Sequence, residues 1–276
     1  MRGKHHMQII RYPIRNPKLS TVAEFIWHFT SDAAESIDNK LLPVVNTDLI
    51  INLSNPIYYR FTGEKEVQAS SVHIRYVKRR SQMIRQSGSI NVWGVSLYPY
   101  GVYPFLRVDM NEQENQIIDL QLYNSHFVTS VLNGLSQIQN APSGSHIIED
   151  ALDKWIGNSF DLNEIHMLRS FTQNMRSIKI SSYCNQKGIG IKYLERLMKK
   201  YLGVTPKHLQ QIGRFQTACN KLIQSSSITA LTNLSYSYDY FDQSHFIKDF
   251  KEYTDETPSA FLADHNSIKE NINHTQ

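Results

Sequence analysis

Phe241-Asp242-Gln243-Ser244-His245-Phe246, near the end of a 276-residue chain, decides how the last third of the sequence is read. Phe241 closes a turn, and Asp242 is a helix N-cap, a short acceptor side chain for the first free backbone N–H groups. A helix is predicted over residues 243–253, with Phe246, Phe250 and Tyr253 forming a packing stripe at helical spacing. Gln243, Ser244, Lys248 and Lys251 fall off that stripe, so the helix has an apolar back and a polar front. Residues 228–238 read as a supporting helix before the turn at Asp239-Tyr240-Phe241.

About fifty residues earlier the same plan occurs. Residues 180–187 read as a short helix that Gly188 stops, because glycine takes the left-handed backbone of a helix C-terminus without cost. The helix over residues 191–201 puts Leu194, Leu197 and Met198 on one face and Lys192, Glu195, Arg196, Lys199 and Lys200 on the others. Leu202-Gly203 ends it, and Thr205-Pro206 opens a joining helix to about residue 223 with an N-cap followed by proline. A basic amphipathic helix alone is most often just a solvated face. Two ordered repeats of supporting helix, turn and charged helix form a tandem helix-turn-helix, whose outward residues suit phosphates and base edges in a major groove.

Charge agrees with this reading. Residues 176–251 hold twelve Lys or Arg against four Asp or Glu, a surplus of eight, whereas the whole chain carries +4. The rest of the chain is therefore net negative, and positive charge sits where a polyanion would dock.

Over residues 171–262 the sequence resembles the DNA-binding domain of the AraC/XylS transcription regulators. The resemblance rests on Gly188-Ile189 before Leu194-Glu195-Arg196-Leu197, on Leu202-Gly203-Val204-Thr205-Pro206, on the quoted hexapeptide, on Phe250-Lys251, and on Thr257-Pro258 with Phe261. It implies two recognition helices reading successive major-groove segments. Lys192, Glu195, Arg196 and Lys199 in the first and Gln243, Ser244 and Lys248 in the second would face bases or phosphates, with Lys251 adding charge. Departures from the family pattern are Gly190 in place of a serine cap, Met198 in place of phenylalanine, Asp239 in place of glycine and Lys248 in place of arginine. A lysine gives up bidentate geometry, which favours phosphate contact over guanine reading at that position.

The first 160 residues read differently. Residues 44–53, 57–61, 72–77 and 90–98 are rich in β-branched and aromatic residues between Asn, Pro, Gly or Ser, and predict an antiparallel sheet or barrel. Residues 123–138 and 146–156 have helical spacing, with Asn140-Ala141-Pro142-Ser143-Gly144 as the break between them. Asp161-Leu162-Asn163-Glu164 reads as a capping box. The fold class expected is α+β: a β-rich, barrel-like domain with flanking helices over residues 1–158, an all-α DNA-binding domain over 159–265, and a polar tail over 266–276. The motifs 48–53, 93–99 and 101–103 resemble the β-rich N-terminal domain of one AraC subgroup, which implies sensing or dimerisation.

Tyr58, Trp93, Tyr98, Tyr100 and Tyr103 are candidates to line an effector pocket, although aromatic residues in strands more often pack in the core. The basic run Arg75, Lys78, Arg79, Arg80 with Arg85 reads first as a solvated hairpin and second as an anion site. Cys184 and Cys219 are the only cysteines, both in the helical region, which predicts small buried hydrophobes in a reducing cytoplasm. The histidines are scattered, so no metal site and no cofactor are expected. No signal sequence follows Met1, and the uncharged run 86–106 is broken by Gly and Pro, so no membrane span is expected.

The expected partners are double-stranded promoter DNA, with RNA polymerase, a small-molecule effector and a second copy of the chain as further candidates. The expected role is a non-enzymatic regulator, an activator by resemblance. Two alternatives stay open: an N-terminal domain used only for protein interaction, and an enzyme fused to a DNA-binding domain. The second is disfavoured because the N-terminal half lacks a cysteine nucleophile and has no phosphate loop, nucleophile elbow or zinc-binding helix motif.

Overall fold

A computed structural model of the protein describes residues 7–76, 79–113, 116–138, 141–157, 160–225 and 243–263. The fold is α+β. Eight antiparallel strands come first: β1 (Met7–Pro13), β2 (Ala23–Leu41), β3 (Thr47–Asn52), β4 (Tyr58–Arg60), β5 (Val67–Gln68), β6 (Val72–Tyr76), β7 (Gln82–Leu97) and β8 (Gln116–Asp119). Their order is β1-β2-β7-β3-β6-β8, with β4 pairing β7 and β5. The two long strands β2 and β7 run together along most of their length, with a register break between Ser31 and Glu35. Such breaks bend a strand and increase its twist, letting the sheet wrap.

Side chains on a strand alternate between faces, so each strand feeds two clusters. Leu49 and Ile51 of β3 enter one core with Ile26, Ile74, Trp93 and Val95. Ile50 enters another with Trp27, Ile57, Tyr59, Ile90 and Val92. The first core is covered by helices; the second is the inside of the wrap.

The covering helices are α1 (Tyr103–Leu106), α2 (Ser125–Ser136) and α3 (Ala141–Ile156). Asn124 caps α2, its Oδ1 accepting from Phe127 N at 2.9 Å. Helix α3 corrects the expected break at residues 140–144: Ala141 to Gly144 form its first turn. Proline is tolerated there because first-turn N–H groups have no intrahelical partner. Gly144 is needed for close approach, since a Cβ would lie 2.5 Å from the Trp93 ring.

The remaining helices are α4 (Leu162–Asn174), α5 (Ile180–Lys187), α6 (Ile191–Leu202), α7 (Pro206–Ser225), α8 (Gln243–Thr254) and α9 (Pro258–Ala263). Asp161 caps α4, accepting from Asn163 N and Glu164 N. The other half of the expected capping box goes elsewhere: Glu164 Oε2 accepts from Lys200 Nζ at 2.8 Å and Tyr201 Oη at 2.7 Å. This ties α4 to the end of α6.

One apolar core runs unbroken from the sheet through α2 and α3 into α4 to α8. Tyr76 of β6 donates its hydroxyl to Leu202 O at 2.5 Å, and the Tyr103 and Tyr201 rings lie 4.4 Å apart. Gly203, with φ of +64°, sits so close to residue 110 that a Cβ would meet the Met110 carbonyl oxygen at 2.3 Å. The sheet and the helical half are therefore packed together as a continuous interior.

Candidate nucleic-acid interface and sensor cavity

Helix α5 ends at Gly188, whose φ of +64° is the left-handed stop read from sequence. Gly190 follows as the N-cap of α6 without a side-chain hydrogen bond, as its lack of a side chain requires. Leu194, Leu197, Met198, Tyr201 and Leu202 of α6 are buried. Lys192, Glu195, Arg196 and Lys199 are all exposed on the opposite side. Met198 fills, at 0% exposure, the place where a phenylalanine was the family expectation.

Lys200 is spent structurally, paired with Glu164 and lying over the Tyr103 and Tyr201 rings. The Arg196 guanidinium lies 5.5 Å from the centre of the Tyr193 ring, which supports its planar donors at the surface. Sequence reading passed over Ile191, which is 46% exposed beside Lys192 at the start of α6. An exposed apolar group there offers contact with a thymine methyl. Its signal was weak because one isoleucine beside an N-cap looks like any other.

The joining helix α7 opens at Thr205, whose Oγ1 accepts from His208 N at 3.2 Å. Phe215 of α7 meets Phe250 and Tyr253 of α8 at ring distances of 5.6 Å and 4.6 Å. Phe246, Phe250 and Tyr253 are buried, the predicted stripe. Ser244, Lys248 and Lys251 are exposed on α8. Gln243 begins the helix, but its side chain, the expected supporting helix 228–238 and the Asp242 cap lie outside the described residues.

Beside α6 a cleft of about 640 Å³ has Lys192, Arg196 and Lys199 on one wall and Arg107, Asp109 and Asn111 on the other. Cations predominate along it, which is the charge a phosphate backbone requires.

A second cavity, of about 420 Å³, lies inside the wrapped sheet. Ile50, Val92, Trp27, Phe29 and Ile84 give it apolar walls, and Phe215, Gln216, Cys219 and Asn220 of α7 form one side. None of Tyr58, Trp93, Tyr98 and Tyr103 lines it. Tyr58 lies under Arg85, and Trp93 stacks on His28 with ring centres 3.9 Å apart. Tyr98 stacks on Tyr100, and Tyr103 packs at a tilt against Tyr201. Strand alternation explains the outcome: Tyr59 and Val92 face the cavity, and their neighbours Tyr58 and Trp93 face away.

Tyr59 donates its hydroxyl to His73 Nε2 at 3.1 Å, and His73 Nδ1 donates to Ser70 O at 2.8 Å. Burial pushes the His73 pKa down to about 4 and the Tyr59 hydroxyl well above its ordinary value. Both groups are neutral near pH 7.

The basic run is split by the fold. Arg80 pairs with Glu64 and Arg85 with Glu66, as a solvated hairpin predicts. Arg75 instead is 9% exposed and lines the cavity. Cys184 and Cys219 are buried free thiols, pushed up by burial. Among the described residues no group of acids, histidines and cysteines could hold a metal ion, and no helix is long and apolar enough to cross a membrane.

Residues 183–264 match a helix-turn-helix domain family, over the region that holds the tandem units. The C-terminal part of the chain is a helix-turn-helix domain of the AraC type. Residues 16–119 match a domain of unknown function, DUF6597. No curated protein matches the chain. Among solved structures it is similar to ToxT from Vibrio cholerae O395, at 11% identity and a TM-score of 0.45, covering 96% of this chain and 99% of that one. ToxT from strain SCE256 with unsaturated fatty acid bound gives 12% identity and a TM-score of 0.42, covering 86% of this chain and 94% of that one. The AraC-like transcriptional activator CuxR gives 12% and 0.32, covering 80% of this chain and 81% of that one.

Proposed function

We propose that this regulator binds a specific DNA site by placing α6 and α8 in successive major-groove segments, and that it activates transcription in the cytoplasm by contact with RNA polymerase. The observation that carries the DNA reading is the division of α6, with five buried residues on one side and Lys192, Glu195, Arg196 and Lys199 exposed on the other. Ser244, Lys248 and Lys251 on α8 supply the second contact surface, joined to the first through α7, and Gln243 is assigned to it from sequence. On this reading residues 1–158 form the regulatory domain, acting through an effector or through dimerisation, and residues 159–265 form the DNA-binding domain.

A catalytic N-terminal domain finds little support. Both cysteines belong to the helical half, and burial keeps their thiols protonated.

Selection of bound sequences from random duplex DNA by the full-length protein, at fixed salt, tests the reading. A long motif is expected, spanning two major-groove segments on one face of the duplex. Recovery of no motif, with only salt-sensitive general binding, would sink it.

A further inference from the structure

The cleft beside α6 has one wall outside the helix-turn-helix units. Arg107, Asp109 and Asn111 come from the segment after α1, in the sheet half of the chain, and face Lys192, Arg196 and Lys199. All six residues are exposed. Arg107 takes a left-handed conformation, φ 54° and ψ 36°, at the C-terminus of α1, where its backbone N–H donates to Tyr103 O at 2.8 Å. Among the described residues only Arg107 and Asp255 have positive φ without being glycine. Glycine takes that backbone freely and an arginine is strained in it, so the strain points to a use for the side chain. Arg107 Nη2 donates to Ile156 O at 3.3 Å, which directs the guanidinium, and among the described residues Arg107 makes no ion pair. The adjoining Met110 carbonyl packs on Gly203 at the end of α6, so the two walls are held together.

We infer that Arg107 binds a phosphate of the DNA backbone beside the groove segment that α6 enters, so that the sheet half of the chain touches the duplex directly. This rests on the DNA-binding reading of α6. An arginine fork matches phosphate geometry, and four exposed cations, Arg107, Lys192, Arg196 and Lys199, outnumber Asp109 and Glu195 in the cleft. Lys200 is already paired with Glu164, and Asp109 Oδ1 accepts from Asn111 N at 2.9 Å, which shapes the turn that carries Arg107. Exposed cations gain little from one small anion against water, whereas a polyanion releases counterions for every phosphate neutralised. A contact from this wall would fix the angle at which α6 meets the groove, because phosphate contacts set register and orientation.

Binding of a fluorescent duplex of random sequence is measured by anisotropy over a range of salt, for the full-length protein, Arg107→Gly and Arg107→Gln. Glycine relieves the strained backbone, and glutamine keeps a donor for Ile156 O without the charge. Loss of one phosphate contact should lower the slope of log affinity against log salt by about 0.9 and weaken binding roughly five- to tenfold at 0.1 M salt. Both variants should show it, with unfolding midpoints close to that of the unaltered protein. If Arg107→Gly does not fold, Arg107→Gln decides. Unchanged affinity and slope in a folded variant would overturn the inference and leave the DNA-binding reading standing. Tighter binding would also overturn it, because the segment would then be a barrier to the groove. Absence of salt-dependent binding by the unaltered protein would overturn both. A random duplex needs no selected motif, so a failed selection does not affect the result.

Discussion

The two faces of the sheet draw alternate residues from the same strands and have different fates. On one face Leu49, Ile51, Trp93 and Val95 are packed under helices into a core continuous with the DNA-binding half. On the other Ile50, Tyr59 and Val92 surround open space and share it with Arg75. Packing to native density fixes the first face in one arrangement, whereas the second keeps room and the buried, unpaired Nη1 of Arg75. Tight packing and open space are thus separated by a one-residue alternation along each strand.

That contrast is sharpest in a pair of neighbouring truncations. Leu49→Ala empties a site with no exposure and is expected to cost about 3–5 kcal/mol. Ile50→Ala widens an existing cavity and should cost roughly 1–2 kcal/mol, because fewer packing contacts are lost. Urea unfolding of both variants measures the difference; equal losses would mean that the second face is packed as tightly as the first.

The buried Tyr59–His73 pair gives the next effect. With the His73 pKa lowered from 6.5 to about 4, the unfolded chain binds a proton in that interval before the folded chain does. Its contribution is therefore fully present above about pH 6.5 and is lost as pH falls toward 4, at most about 3 kcal/mol. The difference in pH dependence between the protein and His73→Gln, read as unfolding midpoints, isolates it. A curve unchanged by the substitution would show that His73 can take up its proton in place.

On the DNA-binding side, Arg196→Ala should cost about 1–3 kcal/mol if it reads guanine, confined to one position of the site. Equal weakening on every sequence would make it a phosphate contact. The smallest effect expected is that of Asp161→Ala, which removes the α4 cap for about 1 kcal/mol of stability. No measurable change in the unfolding midpoint would mean that solvent replaces the cap.

Much of the helical half was legible because its signals are local. Gly188, Gly203, Thr205 and Asp161 act within a few residues, and the stripes of α6 and α8 follow one helix. The sheet was legible only in part. Strand β2 was missed, and its second half, with Ser36, Asp38, Asn39 and Lys40, has little strand propensity and is held by pairing with β7. Its length comes from that partner, which sequence does not reveal.

For the same reason the cavity residues escaped. Whether Tyr58 or Tyr59 faces inward depends on register, and a one-residue slip exchanges them. Arg75 looked like its neighbours Arg79 and Arg80 because burial is not written in a basic run.

The most direct test of the account is footprinting of the selected duplex by the protein, by Arg196→Ala and by Lys248→Ala. If α6 and α8 occupy successive major-groove segments, each variant loses protection in a different part of the site, about one helical turn apart. Loss of the same protected segment in both variants, or uniform weakening across the site, would contradict it.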